Sequence, residues 1–226
     1  MKKALLSFVF FSTGLAGALT HANLFDWVIS IGWSWTFAFA LPWIVVVVFS
    51  GLFAFQLRKT LKNHFRIWVP LLSFLILPGL HFALNPIYEG DLNKFGKEKN
   101  WRENQILEDV LAFDSNFEGL VCVASPNCPY CVEAVQTKIN AIHQRGHTDA
   151  IVYLGSGDEQ WIPFFRDKTQ AREVPIILNS HPEDGIDIDE NVIPVFLYIK
   201  NQTVVHLWRN EQLGFRALDW IEKQLR

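Results

Sequence analysis

Gly119-Leu-Val-Cys-Val-Ala124, followed by Ser-Pro-Asn and then Cys128-Pro129-Tyr130-Cys131, is the stretch that decides how this chain is read. The first six residues are small or apolar and predict a buried strand. Val132, Val135, Ile139 and Ile142 then recur at spacings of three and four, which predicts a helix. Two thiols at a strand-to-helix turn, two residues apart, are the pattern of a redox dithiol. The turn brings Cys128 to the helix N-terminus, where unpaired N–H groups and the positive dipole end favour a thiolate. Cys131 falls one turn inward, close enough to attack a mixed disulfide on Cys128. Pro129 suits the first helical position, where an N–H would lack a partner anyway.

Val192-Ile-Pro-Val-Phe-Leu-Tyr-Ile-Lys200 predicts a strand that opens with proline. Asn201-Gln202 predicts a tight turn, and Thr203 to Trp208 the returning strand. Gly214 to Leu225 reads as an amphipathic helix carrying Leu218, Ile221 and Leu225. Together these motifs resemble the thioredoxin superfamily, and Cys-Pro-Tyr-Cys is similar to the pairing of glutaredoxins. The resemblance covers roughly residues 101–226. It implies an α/β thioredoxin-like domain, a central mixed sheet flanked by helices. It also implies that Ile193, followed by a cis Pro194, faces the dithiol. Pro129, Tyr130, Ile193 and Pro194 would then position the substrate, with the Ile193 backbone pairing to an extended segment as an added strand.

The remaining elements of that half follow from pattern. Arg102–Phe113 predicts a helix with Ile106, Val110 and Leu111 on one side. Asp149–Leu154 predicts a strand, Ser156-Gly-Asp158 the cap of a helix through Lys168, and Val174–Leu178 another strand. An extra strand before the proline hairpin is similar to the TlpA and peroxiredoxin branch of the superfamily.

The first 85 residues have another character. They hold six of the 20 Lys and Arg residues and a single acid, Asp26. The rest of the chain holds 14 basic and 22 acidic residues, a formal net of −8, which speaks against a nucleic-acid partner. Met1-Lys-Lys and the apolar Ala4–Leu19 run read as a signal peptide ending near Thr20-His21-Ala22, or as a first transmembrane helix. Residues 23–84 predict a membrane region. Trp27–Leu57 is uncharged, with a span expected at Trp35–Leu57 and Pro42 kinking or beginning it. Ile67–Leu84 is the next expected span, and 85–100 reads as a linker. The basic 58–66 loop and Lys2-Lys3 belong inside, and the 20–27 connection, free of Lys and Arg, belongs outside. This orientation predicts a cytoplasmic-membrane protein with residues 85–226 on the extracytoplasmic, periplasmic side, an oxidising compartment.

All three cysteines fall after residue 121. The membrane region therefore cannot relay electrons by thiols, and a separate thiol electron donor or acceptor, such as another membrane protein, is expected. Protein disulfides and thiols are the expected substrates, the lipid bilayer the other partner, and no cofactor or metal is expected.

Other readings compete at several positions. Cys128 and Cys131 form half of a zinc site only if His143 and His147 complete it, since no second Cys pair exists. Cys122 reads as a small apolar core residue, with a third redox thiol as the alternative. It stands where thioredoxins commonly place a buried acid. Asp184–Glu190 invites a calcium reading, but Val192 stands at the sixth position from Asp187, where an EF-hand needs glycine. Ser125-Pro-Asn-Cys128 superficially matches the peroxiredoxin pattern. The reading adopted is a membrane-anchored thiol–disulfide oxidoreductase with Cys128 attacking and Cys131 resolving. Its alternatives are a non-catalytic thioredoxin-like assembly factor and a thiol peroxidase. No Lys, Arg or His lies between Gly119 and Thr137, which predicts a redox poise of about −200 to −230 mV rather than about −120 mV.

Overall fold

The computed structural model describes residues 2–61, 65–87, 103–180 and 193–225. Residues 62–64 of the basic loop, most of the 85–100 linker and the Asp184–Glu190 loop lie outside them. The chain divides into two compact units, Met1–Ile87 and Tyr88–Arg226.

The first unit is helical: α1 Lys2–Leu19, α2 His21–Ser30, α3 Trp35–Thr60 and α4 Phe65–Leu84. Two of its helices are long and apolar enough to cross a membrane, over Trp35–Lys59 and Ile67–Leu84. A third span results if α1 and α2, bent by 72° at Thr20, count as one. Ser34 caps α3 by accepting the Phe37 N–H at 3.1 Å, and Arg58 and Lys59 complement the dipole at the other end. Pro42 sits inside α3, so the helix begins before the proline. The outward surfaces of α3 and α4 carry exposed apolar side chains, among them Val48, Phe55, Leu72 and Ile76, as a lipid-facing surface would.

Small residues on α1 allow close helix packing. A Cβ on Gly14 would lie 3.0 Å from Leu77 Cδ1, and one on Gly17 3.0 Å from Val45 Cγ1. Ala18, Val46 and Leu77 form the buried centre of this contact. His81 is fully buried, its Nε2 is 3.3 Å from His21 Nδ1, and the Trp43 ring meets it edge-on at 4.2 Å. The costly histidine inside α4 is thus engaged by its neighbours.

The second unit carries a five-stranded mixed sheet with flanking helices. The strands are β1 Gly119–Ala124, β2 Ala150–Leu154, β3 Ile176–Leu178, β4 Val195–Lys200 and β5 Thr203–Arg209, in spatial order β3-β2-β1-β4-β5. β1, β2 and β3 run parallel, while β4 is antiparallel to β1 and β5. β1, central and covered on both faces, is buried throughout, which explains its unbroken apolar run. Its Gly119 is required: a Cβ there would sit 1.9 Å from the Asp149 carbonyl oxygen, which accepts the Leu120 N–H.

One face packs Val121, Val123, Ile151, Tyr153, Val195 and Leu197 against Ile106 and Val110 of α5 Glu103–Phe113. The Tyr153 hydroxyl donates to Asp109 at 2.7 Å, fixing α5 to β2, and Ser180 also donates to that carboxylate. Burial and then Asp109 hold the Tyr153 phenol above its ordinary range. Helix α6 begins at Pro129–Ala134, passes through a π-helical Val135–Ile139 and continues as Asn140–Gln144. Helix α8 is Phe215–Gln224, with Ala217, Leu218 and Ile221 buried. Arg145, just past α6, pairs with Glu222 of α8 at 2.7 Å.

Several expected boundaries move, among them that of β4, which starts at Val195, after the cis proline, rather than at Val192. Helix α7 is Trp161–Thr169, so Ser156–Asp158 does not cap it. Asp158 Oδ1 instead accepts the Gln160 N–H two residues on, an Asx turn that delays the helix. β3 starts at Ile176 rather than Val174, because Arg172–Val174 bends before the Pro175 carbonyl pairs with the Val152 N–H. The β4–β5 turn carries Asn201 and Gln202 at φ 51° and 56°, the left-handed conformation that a tight hairpin needs.

Candidate functional site

The site forms where β1 ends and α6 begins. The Cys128 N–H donates to the Ser125 carbonyl, which closes the turn after the strand. Cys128 is then the residue capping α6, in extended conformation, with Pro129 in the first turn. Its sulfur accepts the Cys131 N–H at 3.2 Å, so a sulfur atom fills the place of an N-cap oxygen. Cys128 is half-buried, Cys131 fully buried, and Tyr130 stands 64% exposed beside them. All three cysteines are free thiols.

Ile193 and Pro194, both buried, come to the same place from the start of β4. Their peptide bond is cis, and the Ile193 carbonyl lies 4.0 Å from Cys128 Sγ as the thiol's acceptor. The structure thus gathers Cys128, Cys131 and Ile193 around one sulfur atom. Pro129 and Tyr130 form the outer wall of the turn.

The two thiols have unequal environments. Burial pushes the Cys131 thiol up, and its hydrogen bond with Cys128 adds to that. The outer thiol is the one a bulky reactant can meet, and the inner one stays protonated until a neighbour's sulfur needs it. Such a pair can form a mixed disulfide at Cys128 and release it through Cys131. Cys122 lies behind the pair on β1 and is fully buried, and burial raises its thiol from 9.0 to about 12.

Lys138 and Asn210 escaped the sequence reading. Lys138 Nζ donates to the Asn210 carbonyl and side-chain oxygens at 3.3 and 3.2 Å. The detectable signal was a spacing of seven from Cys131, two helical turns, although the π-helical segment interrupts that count. Among the described residues no group of three or more His, Cys, Asp or Glu side chains gathers as a metal site. His143 of the zinc alternative has its ring on the Ala150 carbonyl.

No family model, no curated protein and no solved structure matches the chain.

Proposed function

We propose that this chain is a membrane-anchored thiol–disulfide oxidoreductase whose sheet-bearing unit is a thioredoxin-like domain on the extracytoplasmic side of the cytoplasmic membrane. The observation that carries the reading is the Cys128 sulfur. It is half-buried at a helix N-terminus, bonded to the Cys131 N–H, with a buried second thiol one turn inward and the Ile193 carbonyl across from it. Arg58 and Lys59 in the last turn of α3 support the orientation.

In the reductive direction the Cys128 thiolate attacks one sulfur of a client disulfide. A Cys128–client disulfide forms and the other client sulfur leaves as a thiolate. The Cys131 thiol loses its proton and attacks Cys128 Sγ, expelling the second client thiolate. The client gains two electrons and Cys128–Cys131 becomes a disulfide, which a separate dithiol protein must reduce. Clients that donate electrons run the same steps backwards.

Cys131→Ser should therefore accumulate covalent, reductant-sensitive complexes with client proteins, while Cys128→Ser accumulates none. Both variants should lose turnover in an insulin-reduction assay. Non-reducing gels of native membranes check the first statement. Complexes that persist in Cys128→Ser would assign the nucleophile to another thiol, full turnover without either cysteine would remove the dithiol mechanism, and a wild-type protein without turnover would remove the enzymatic reading.

A further inference from the structure

Two histidines meet where α1, α2 and α4 come together. His81 is fully buried within α4, and its Nε2 stands 3.3 Å from Nδ1 of the half-buried His21, the first residue of α2. The Asn85 amide, one turn past His81, donates to His81 Nδ1 and to the Ala18 carbonyl of α1, each at 3.4 Å. With Nδ1 accepting, the His81 proton lies on Nε2 and points at His21 Nδ1. Helix α3 faces the pair with two aromatic rings, Phe39 edge-on to His21 and Trp43 edge-on to His81. The only acid among the described residues of this unit is Asp26, exposed and five residues past His21. Lys2 and Lys3 open α1, Arg58 and Lys59 end α3, and Arg66 opens α4, each at the helix end away from the pair. Thr20, at the 72° bend between α1 and α2, turns its hydroxyl back to the Ala16 carbonyl and leaves α2 without a side-chain cap. The imidazole pair joins the start of α2 to α4.

We propose that His21 and His81 form a proton-operated latch: one hydrogen bond holds α2 to α4 while either imidazole is neutral, and protonation of both releases α2 to turn at Thr20. The inference stands apart from the oxidoreductase reading. A neutral imidazole carries one donor and one acceptor, so a neutral pair bonds. A first proton, taken at His81 Nδ1, keeps the bond, because Nε2–H still meets a lone pair on His21. The new N–H finds an acceptor in the Ala18 carbonyl or, with the amide turned, in the Asn85 oxygen. An imidazolium has two donors and no acceptor. A second proton, on His21 Nδ1, therefore sets N–H against N–H, with two positive charges side by side. No carboxylate among the described residues faces them, and the apolar helices around them screen the repulsion poorly. His81 is fixed inside a long helix, whereas His21 opens a short, uncapped helix beyond a bend, so His21 is the partner that moves. Histidine is the side chain whose charge changes nearest neutral pH, which suits it to such a device.

The test measures a distance in the full-length protein in detergent. Nitroxide labels go on Ser30→Cys, at the end of α2 away from the bend, and on Leu84→Cys of α4, both exposed. The background carries Cys122→Ala, Cys128→Ser and Cys131→Ser. Dipolar electron spin resonance reads the separation at about pH 8 and about pH 4, either side of the ordinary histidine range. With both histidines present, one distance at the higher pH should shift in population to a longer one in acid, and return on neutralisation. His21→Gln and His81→Gln each leave a neutral amide that cannot take the second charge, and should keep the shorter distance at both pH values. If one variant does not fold, the other decides. An unchanged distance with both histidines present would overturn the latch. So would a lengthening that a folded Gln variant retains, which would assign the response to other groups. Lengthening accompanied by loss of helical circular dichroism would be acid unfolding, and would overturn it as well.

Discussion

Cys122 shows how burial alone defines a residue's chemistry. It is fully inaccessible on the central strand, and desolvation raises its thiol from 9.0 to about 12. The native state thus binds this proton more tightly than the unfolded chain does. The associated stability is complete below pH 9, and is lost as pH rises from 9.0 towards about 12. Denaturant midpoints should fall over that range, and fall less in Cys122→Ala. The same substitution should cost about 1 kcal/mol at neutral pH from the vacated volume, with turnover retained. Turnover lost in a folded Cys122→Ala would make it a third redox thiol. The strand pattern made its burial legible, since every neighbour in Gly119–Ala124 is small or apolar. The contact of Lys138 with Asn210 was not legible, because that depends on helix phase through a π-turn.

At the scale of elements, β1 is the part whose sequence can change least. Gly119 lets β2 approach so closely that an alanine Cβ would overlap the Asp149 carbonyl. Gly119→Ala must separate the two strands at their first pair, Leu120 with Ala150, and tilt the strand that aims Cys128. We expect a loss near the upper end of about 1–3 kcal/mol in thermal or denaturant unfolding, with turnover reduced in what remains folded. A variant as stable as the parent would mean that the β1–β2 approach is slack. Strands and helices with strong periodicity, such as Gly119–Ala124 and the helix carrying Leu218 and Ile221, were legible in the sequence. The start of α7 was not. Asp158 is a good cap by type, and only the local competition of an Asx turn places the helix two residues later.

At the scale of the whole molecule, the charge pattern around α3 and α4 yields a topology that fusions can check. A reporter active only outside the cytoplasm should work when fused after Ile87 and fail after Leu61, and the reverse pattern would remove the oxidising compartment from the proposal. The apolar lengths that predict the spans were legible in sequence. The partner of His81 was not, because it lies sixty residues away on the α2 side of a bend. One described feature reaches across the sheet-bearing unit as a whole: the sulfur proposed to react is also the sulfur that caps α6. A disulfide would tie this sulfur to Cys131 Sγ, so each turnover would remake the contacts around the cap. Folding and electron transfer then share a thermodynamic cycle. Whatever reduction potential the folded chain adds to its unfolded dithiol must reappear as extra resistance to unfolding in the reduced form, about 1.4 kcal/mol for every 30 mV. A calorimeter should therefore report the redox state, and the gap between the reduced and oxidised transitions would measure how far folding moves the poise of the dithiol from that of the unfolded chain.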